Sequence, residues 1–237
     1  MKIISIADYE ELSTAASEVV AQAVSLQPTL NIVFPTGHTP IGLYRRLNAE
    51  HAAGRFSLNG ADVFMLDEYV DLPTYPEGSY RTFLRDHLGD VIFNNSTVFH
   101  PLDVGDDVAC ERYDKALSQA GGVDLAIVGL GRNGHVGFNE PGADPLERTH
   151  VVTLTAATLE ANFPGQSNSV RPTRAITMGL RDLIDARSVL MLVSGSSKAS
   201  ILAALRHGIF DPSIPATNFL DHQNFTIIAD EEALAGT

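Results

Sequence analysis

The chain is 237 residues long and 44% hydrophobic, enough to bury the core of one large α/β domain, and a single domain spanning residues 1–237 is the expectation. A formal net charge of −13 argues against a nucleic-acid partner or an anionic membrane surface and reads as a solubility feature, though a local cationic pocket remains compatible with it. Cys110 is the single cysteine, which excludes an intrachain disulfide and a cysteine-based metal cluster and fits a reducing compartment.

The first residues, Met1 to Asp8, turn polar too soon for a signal peptide, and no apolar run reaches the roughly 18 residues of a membrane span, so a cytoplasmic location is expected. Lys2 to Ser5 reads as a short strand. Asp8 to Gln27 reads as an amphipathic helix with Tyr9, Leu12, Ala16, Val19, Val20 and Ala23 on one face. Strands are then predicted at Thr29–Phe34, Ala61–Leu66, Thr97–His100, Val123–Val128, Ala175–Met178, Val189–Val193 and Phe225–Ala229. Helices are predicted at Pro40–Ala53, Ser79–Leu88, Val108–Gln119, Ala156–Ala161 and Ser197–His207, with Cys110 packing inside one of them. This alternation predicts a mostly parallel sheet with helices on both faces, and no repeat or linker-like segment suggests an internal boundary.

Four polar segments directly follow predicted strands. Pro35 to Tyr44 carries Thr36, Gly37, His38 and Thr39 ahead of a helix start at Pro40, and hydroxyls with backbone amides at such a turn suit a phosphate. It lacks the glycine spacing and the glycine-lysine pair of a Walker loop, and it also reads as a tight turn with a threonine cap. Met65-Leu-Asp67-Glu68-Tyr69 places two carboxylates at a strand end, where alternation points them to opposite sides and gives them different roles. Ala126 to Gly142 carries Asn133, His135 and Glu140 in a glycine-dense loop. Ser194 to Lys198 is a hydroxyl-rich turn whose ammonium can neutralise a phosphate or simply be solvated.

Ligands in an open parallel sheet bind beyond the carboxyl ends of the strands, so four such turns converge along one edge. Gly129-x-Gly131-x-x-Gly134 matches the dinucleotide fingerprint formally, but Pro141-Gly142 follows too soon for the long helix that motif requires. His38, Asp67 and His135 lack the spacing of metal-ligand motifs, so no metal is expected.

The segments ProThrGly-x-ThrPro, LeuAspGluTyr, GlyLeuGly-x-AsnGlyHis-x-GlyPheAsnGluProGly and SerGlySerSerLys occur in this order. Together they resemble the glucosamine-6-phosphate deaminase and galactosamine-6-phosphate deaminase/isomerase family, over roughly Lys2 to Ala229. The resemblance implies a three-layer αβα sandwich with a mostly parallel, modified Rossmann-like sheet. It implies an amino-sugar phosphate as the small-molecule substrate, with neither metal nor organic cofactor. It further implies Asp67 as the base that moves a proton from carbon 2 to carbon 1, and His135 as the group that opens the sugar ring. Asn133 and Glu140 would orient and tune that histidine, and Thr36, Gly37, His38, Thr39 and Lys198 would hold the 6-phosphate. Whether the chain forms a homo-oligomer is left open.

Asn133 stands where larger family members have Asp, which resembles a shorter branch. Many glucosamine-type members also carry Ala-Asn-x-Arg-Phe-Phe, whose arginine binds the phosphate; here Ala161 to Gln166 lacks it, which leaves two alternatives: Lys198 and the Thr36–Thr39 loop carry the phosphate charge, or Arg171 or Arg174 substitutes. Thr173 to Leu180 resembles the galactosamine-type branch, whereas the LeuAspGluTyr and PheAsnGluPro motifs favour glucosamine 6-phosphate. Two other functions use related sequences. Lactonases of the 6-phosphogluconate type share the fold but continue toward SerLeuPhePro after the histidine loop, where this chain has Phe138-Asn139-Glu140-Pro141. Sugar-phosphate-sensing effector domains reuse the fold without catalysis and carry a DNA-binding module, for which no basic helix-turn-helix segment is found here.

Overall fold

Polar residues placed just ahead of apolar periodic stretches start the helices. Asp8, Ser79, Asp106 and Thr155 each accept, through the side chain, a backbone N–H three residues on, the arrangement that satisfies donors left free at a helix start. The computed structural model describes residues 1–72, 76–94, 96–102, 106–167 and 171–236. In chain order it contains β1 (Lys2–Ile6), α1 (Tyr9–Leu26), β2 (Asn31–Phe34), α2 (Ile41–Ala52), β3 (Asp62–Met65), β4 (Asp67–Tyr69), α3 (Tyr80–Ile92), β5 (Val98–His100) and α4 (Asp107–Gln119). There follow β6 (Leu125–Gly129), β7 (His150–Thr153), α5 (Ala156–Asn162), β8 (Arg174–Thr177), α6 (Leu180–Ile184), β9 (Ser188–Val193), α7 (Ala199–Arg206), β10 (Phe225–Asp230) and α8 (Glu231–Leu234).

Seven strands form one sheet in the order β1-β10-β9-β6-β2-β3-β5, with parallel pairing throughout. Every residue of β2 is buried, as are nearly all of β6 and β9, which is the burial of strands covered on both faces. The helices supply that cover, and the result is a three-layer αβα arrangement. Val33, Phe64, Ile127 and Met191 lie at the centre of the core, fully excluded from solvent.

The four strands that precede the polar segments, β9, β6, β2 and β3, are consecutive neighbours in this sheet. Because all run the same way, their carboxyl ends lie side by side on one edge.

The structure corrects the expectation at four places. Ala175–Met178 was assigned to the parallel sheet; the strand is β8 at Arg174–Thr177, and it joins β4 and β7 in a separate antiparallel sheet of three strands. Asp67 and Glu68 do not end β3; they open β4, with Asp67 opposite Thr177. The helix expected over Ser197–His207 begins as a 3-10 turn at Ser196–Lys198. Helix α2 starts after Pro40 with no side-chain cap, so neither threonine of that loop serves as one.

The small sheet has its own apolar cluster of Tyr69, Leu72, Phe138, Leu154, Phe163 and Ala175. Tyr69 lies 5.3 Å from Phe163 and 5.7 Å from Phe138, ring centre to ring centre. Among the described residues no helix is long and apolar enough to cross a membrane.

Candidate active site

The chain leaves the main sheet at Leu66, whose carbonyl accepts the backbone N–H of Met178 at 2.8 Å. That crossing carries Asp67 between the two sheets. Its side chain is buried, and Oδ1 has no hydrogen-bond partner. Burial pushes this carboxyl well above the ordinary carboxylate range, and the charge of Glu68 adds to the rise.

Glu68 points the other way, as strand alternation requires. Its carboxylate accepts the backbone N–H groups of Tyr69 at 2.8 Å, Tyr80 at 2.9 Å and Arg81 at 2.9 Å, so it ties the start of α3 to β4. Burial raises its pKa even so, against the lowering effect of those three bonds. The two adjacent acids therefore differ in kind. One is satisfied by backbone, and the other is buried with one oxygen unpartnered.

The loop after β6 faces Asp67. Gly131 O accepts the N–H of Gly134 at 3.1 Å, and Gly131 N–H donates to His135 O at 2.9 Å, which folds Gly131–His135 into a tight reversal. A Cβ on Gly131 would fall on the imidazole ring of His135, so the ring lies directly over that glycine. Gly134 has φ of +85°, and a Cβ there would meet Ile214 and Ile201. These glycines let a histidine pack over its own backbone instead of opening a helix for a pyrophosphate. Gly137 has φ of +58°, and a Cβ there would stand 3.5 Å from Asp67 Oδ2, which sets the Asp67 carboxyl two residues from His135.

His135 Nδ1 lies 3.6 Å from Glu140 Oε2, an ion-pair separation longer than a hydrogen bond. Asn133 does not touch the imidazole. Its Nδ2 donates to Glu140 Oε2 at 2.7 Å and its Oδ1 accepts the His135 backbone N–H at 3.2 Å, so it orients the histidine through the carboxylate and the main chain. Thr158 on α5, which no sequence pattern marks, donates to Glu140 Oε1 at 2.7 Å. Burial opposes ionisation of Glu140, but His135, Thr158 and Asn133 outweigh it and hold the carboxyl down at about 2. Glu140 thus presents a fixed negative charge to the imidazole.

At the end of β2, Gly37 has φ of +95° with nothing within 4 Å of where a Cβ would stand, which leaves room for a ligand against the backbone. The Tyr80 hydroxyl lies 3.0 Å from the Tyr69 hydroxyl. His38 is exposed, and its carbonyl accepts from the Tyr9 hydroxyl at 3.1 Å.

At the end of β9, Asp230 accepts the Ser194 hydroxyl at 2.5 Å and the Gly195 N–H at 3.0 Å and 3.1 Å. Ser194 is therefore committed to shaping the turn, and Lys198 is the charged group it presents. Burial lowers the pKa of Lys198, and the charge of Arg132 adds to that. Among the described residues no three His, Cys, Asp or Glu side chains are grouped as a metal ion would need.

Residues 7–228 match the model of a family described as glucosamine-6-phosphate isomerases/6-phosphogluconolactonase. The chain belongs to this family. The glucosamine-6-phosphate deaminase of Halalkalibacterium halodurans is 38% identical over 238 residues, covering 99% of this chain and 97% of the relative. Glucosamine-6-phosphate deaminase 2 of Bacillus subtilis is 35% identical over 241 residues, covering 98% and 96%. The solved structure of a monomeric glucosamine-6-phosphate deaminase superposes with a TM-score of 0.91 at 33% identity, covering 100% of both chains. The 6-phosphogluconolactonase of Trypanosoma cruzi has a TM-score of 0.78 at 20% identity over 99% and 96% of the two chains, a likeness of fold alone. Pro164, the residue that stands at the arginine position of the Ala-Asn-x-Arg pattern, is exposed, and its neighbour Phe163 is buried in the small sheet's apolar cluster.

Proposed function

We propose that the chain deaminates an amino-hexose 6-phosphate with isomerisation, glucosamine 6-phosphate being favoured over its galactosamine epimer, to give a ketohexose 6-phosphate and ammonia. One observation carries the reading: the buried Asp67 carboxyl, its Oδ1 unpartnered, faces the loop that holds His135 against Glu140. The names of the full-length relatives support the choice of reaction.

In this reading His135 transfers the proton from the anomeric hydroxyl to the ring oxygen and opens the sugar. Glu140 stabilises the imidazolium formed on the way, and Asn133 and Thr158 keep that carboxylate in place. Asp67 takes the proton from carbon 2 of the open aldehyde and the aldehyde oxygen receives the proton given up by the 2-ammonium, leaving a neutral enolamine. Burial suits the task, because a carboxylate of raised pKa is a stronger base toward a weakly acidic C–H bond. Asp67 then returns the proton to carbon 1, which converts the enolamine to an imine at carbon 2. Water adds to that imine and ammonia leaves with the electron pair of its C–N bond. The Thr36–Thr39 loop and Lys198 hold the 6-phosphate away from the reacting carbons.

Ammonia release from glucosamine 6-phosphate and galactosamine 6-phosphate tests the reading. Turnover of either supports the reaction, and a clearly higher kcat/KM for the galactosamine epimer reverses the stated preference. Hydrolysis of a sugar-acid lactone 6-phosphate without ammonia release would replace the reading with a lactonase. Tight binding of sugar phosphates with no turnover would replace it with a sensor.

A further inference from the structure

Two cationic residues, Arg132 and Lys198, follow the carboxyl ends of β6 and β9. These strands pair in parallel with Gly129 opposite Leu192, so the loops after them leave the sheet side by side. The hydrogen bond from Gly134 N–H to Gly131 O makes Arg132 and Asn133 the central residues of a β-turn, exposed at its tip. This turn packs on the element that follows Lys198: a Cβ on Gly134 would stand 3.3 Å from Ile201, in the first turn of α7. Asn133 is committed to Glu140. Among the described residues the Arg132 side chain makes no hydrogen bond or ion pair, and neither does the Lys198 ammonium. The charge of Arg132 is instead felt by Lys198.

Holding two like charges together, one of them half-buried, is unfavourable unless an anion joins them. The carboxylate under the turn does not serve, because Asp230 is occupied by Ser194, Gly195 and the Ala233 N–H. The arginines expected from the sequence are engaged elsewhere. Arg171 reaches Glu160 at 3.0 Å and the Phe163 carbonyl at 2.7 Å. Arg174 lies at the far end of β8 from Thr177, the partner of Asp67, and its charge acts on Asp71.

We infer that Arg132 and Lys198 together clamp the phosphate of the substrate, Arg132 taking the place of the arginine missing after Asn162. The inference rests on the function proposed above and names the residue that completes its phosphate subsite. A guanidinium offers a dianion two parallel donors and an ammonium adds a point charge, so the pair meets the charge of a phosphate monoester.

Inorganic phosphate is the probe, titrated calorimetrically into the wild-type chain and used as a competitor of ammonia release. Arg132→Met is expected to weaken phosphate binding and raise KM by about 10- to 100-fold, the scale of one charge-assisted contact, with kcat nearly unchanged. Lys198→Met should do the same. Arg132→Lys should recover part of the loss and keeps the test readable if the methionine variant folds poorly. Arg171→Met and Arg174→Met should leave phosphate affinity at the wild-type value. Unchanged phosphate affinity in both Arg132 variants overturns the inference, as does a comparable loss in Arg171→Met or Arg174→Met, or a wild-type chain that binds no phosphate. If Arg132 governs phosphate binding but neither amino-sugar phosphate releases ammonia, the anion clamp stands and the reaction assigned to it does not.

Discussion

Asp67→Asn separates the proposed chemistry from stability, because the burial that raises the Asp67 pKa also makes its charge unfavourable to the fold. Asn matches Asp in shape and cannot accept the carbon-2 proton. Turnover should fall at least about 10²-fold, the usual scale for a lost general base, with KM little changed. Stability should move the other way. Asp67 is 6% exposed, its Oδ1 has no partner, and it neighbours the buried Glu68, so ionising it forfeits hydration that nothing replaces. A buried unsatisfied polar group costs about 1–3 kcal/mol. Removing only the charge should return a gain of the order of 1 kcal/mol at neutral pH, about 2–4 °C in Tm for a chain of this size.

The sign with pH follows from the direction of the shift. The folded pKa of Asp67 lies well above its ordinary value of 3.8, so the fold favours the protonated acid. That contribution is complete below the unfolded pKa and is lost as pH rises through the folded one. The Tm advantage of Asp67→Asn should therefore be absent in strong acid and should widen from about pH 4 upward. Ammonia release with carbon-2 hydrogen exchange reads the chemistry, and thermal melts across pH read the linkage. Near-wild-type turnover would remove Asp67 from the base role. A variant less stable than wild type at every pH would mean that the carboxyl is a structural acceptor, and the argument from desolvation would fail.

Glu68→Gln should keep most of the activity yet destabilise the fold by about 1–3 kcal/mol, because a carboxylate that satisfies three backbone N–H groups is replaced by an amide with one acceptor oxygen; unchanged melting would show that α3 does not depend on it. His135→Gln should be slow with the cyclic sugar while still acting on the open chain present in solution. Normal carbon-2 exchange with cyclic substrate would remove His135 from ring opening. Gly131→Ala should displace the imidazole that lies over that glycine, lowering kcat by at least about tenfold with phosphate binding retained; wild-type kcat would show that the ring position is not critical.

The central strands could be read from the sequence because they are short β-branched runs, buried on both faces and ended by glycine, proline and hydroxyl residues. Those same ends bore Thr36–Thr39, Asn133–Glu140 and Lys198, so the edge on which they converge was legible with them. The small sheet was not. Its strands β4 and β7 have three and four residues, too few for a period to show, and β4 finds β8 only across a long stretch of chain. Thr158 escaped notice because its contact with Glu140 joins α5 to a distant loop. Even the histidine's partners were read more directly than they act, since Asn133 reaches the ring only through Glu140 and the backbone.

The small sheet also decides how reactive Asp67 is. A carboxylate at the end of β3, beside Thr36 and Lys198 on an open edge, would keep its hydration and its ordinary pKa. Here the chain crosses over at Leu66 and pairs Asp67 with Thr177, while Gly137 closes over the carboxyl so tightly that a Cβ would stand 2.8 Å from Thr177 Oγ1 and 3.5 Å from Asp67 Oδ2. Thr177 Oγ1 also accepts the Phe138 N–H at 3.2 Å, which ties the histidine loop to β8. One strand pair thus dehydrates the acid on one side and fixes the His135 loop on the other. The parallel sheet supplies the common edge, and the antiparallel one gives an aspartate on that edge a buried carboxyl of raised pKa.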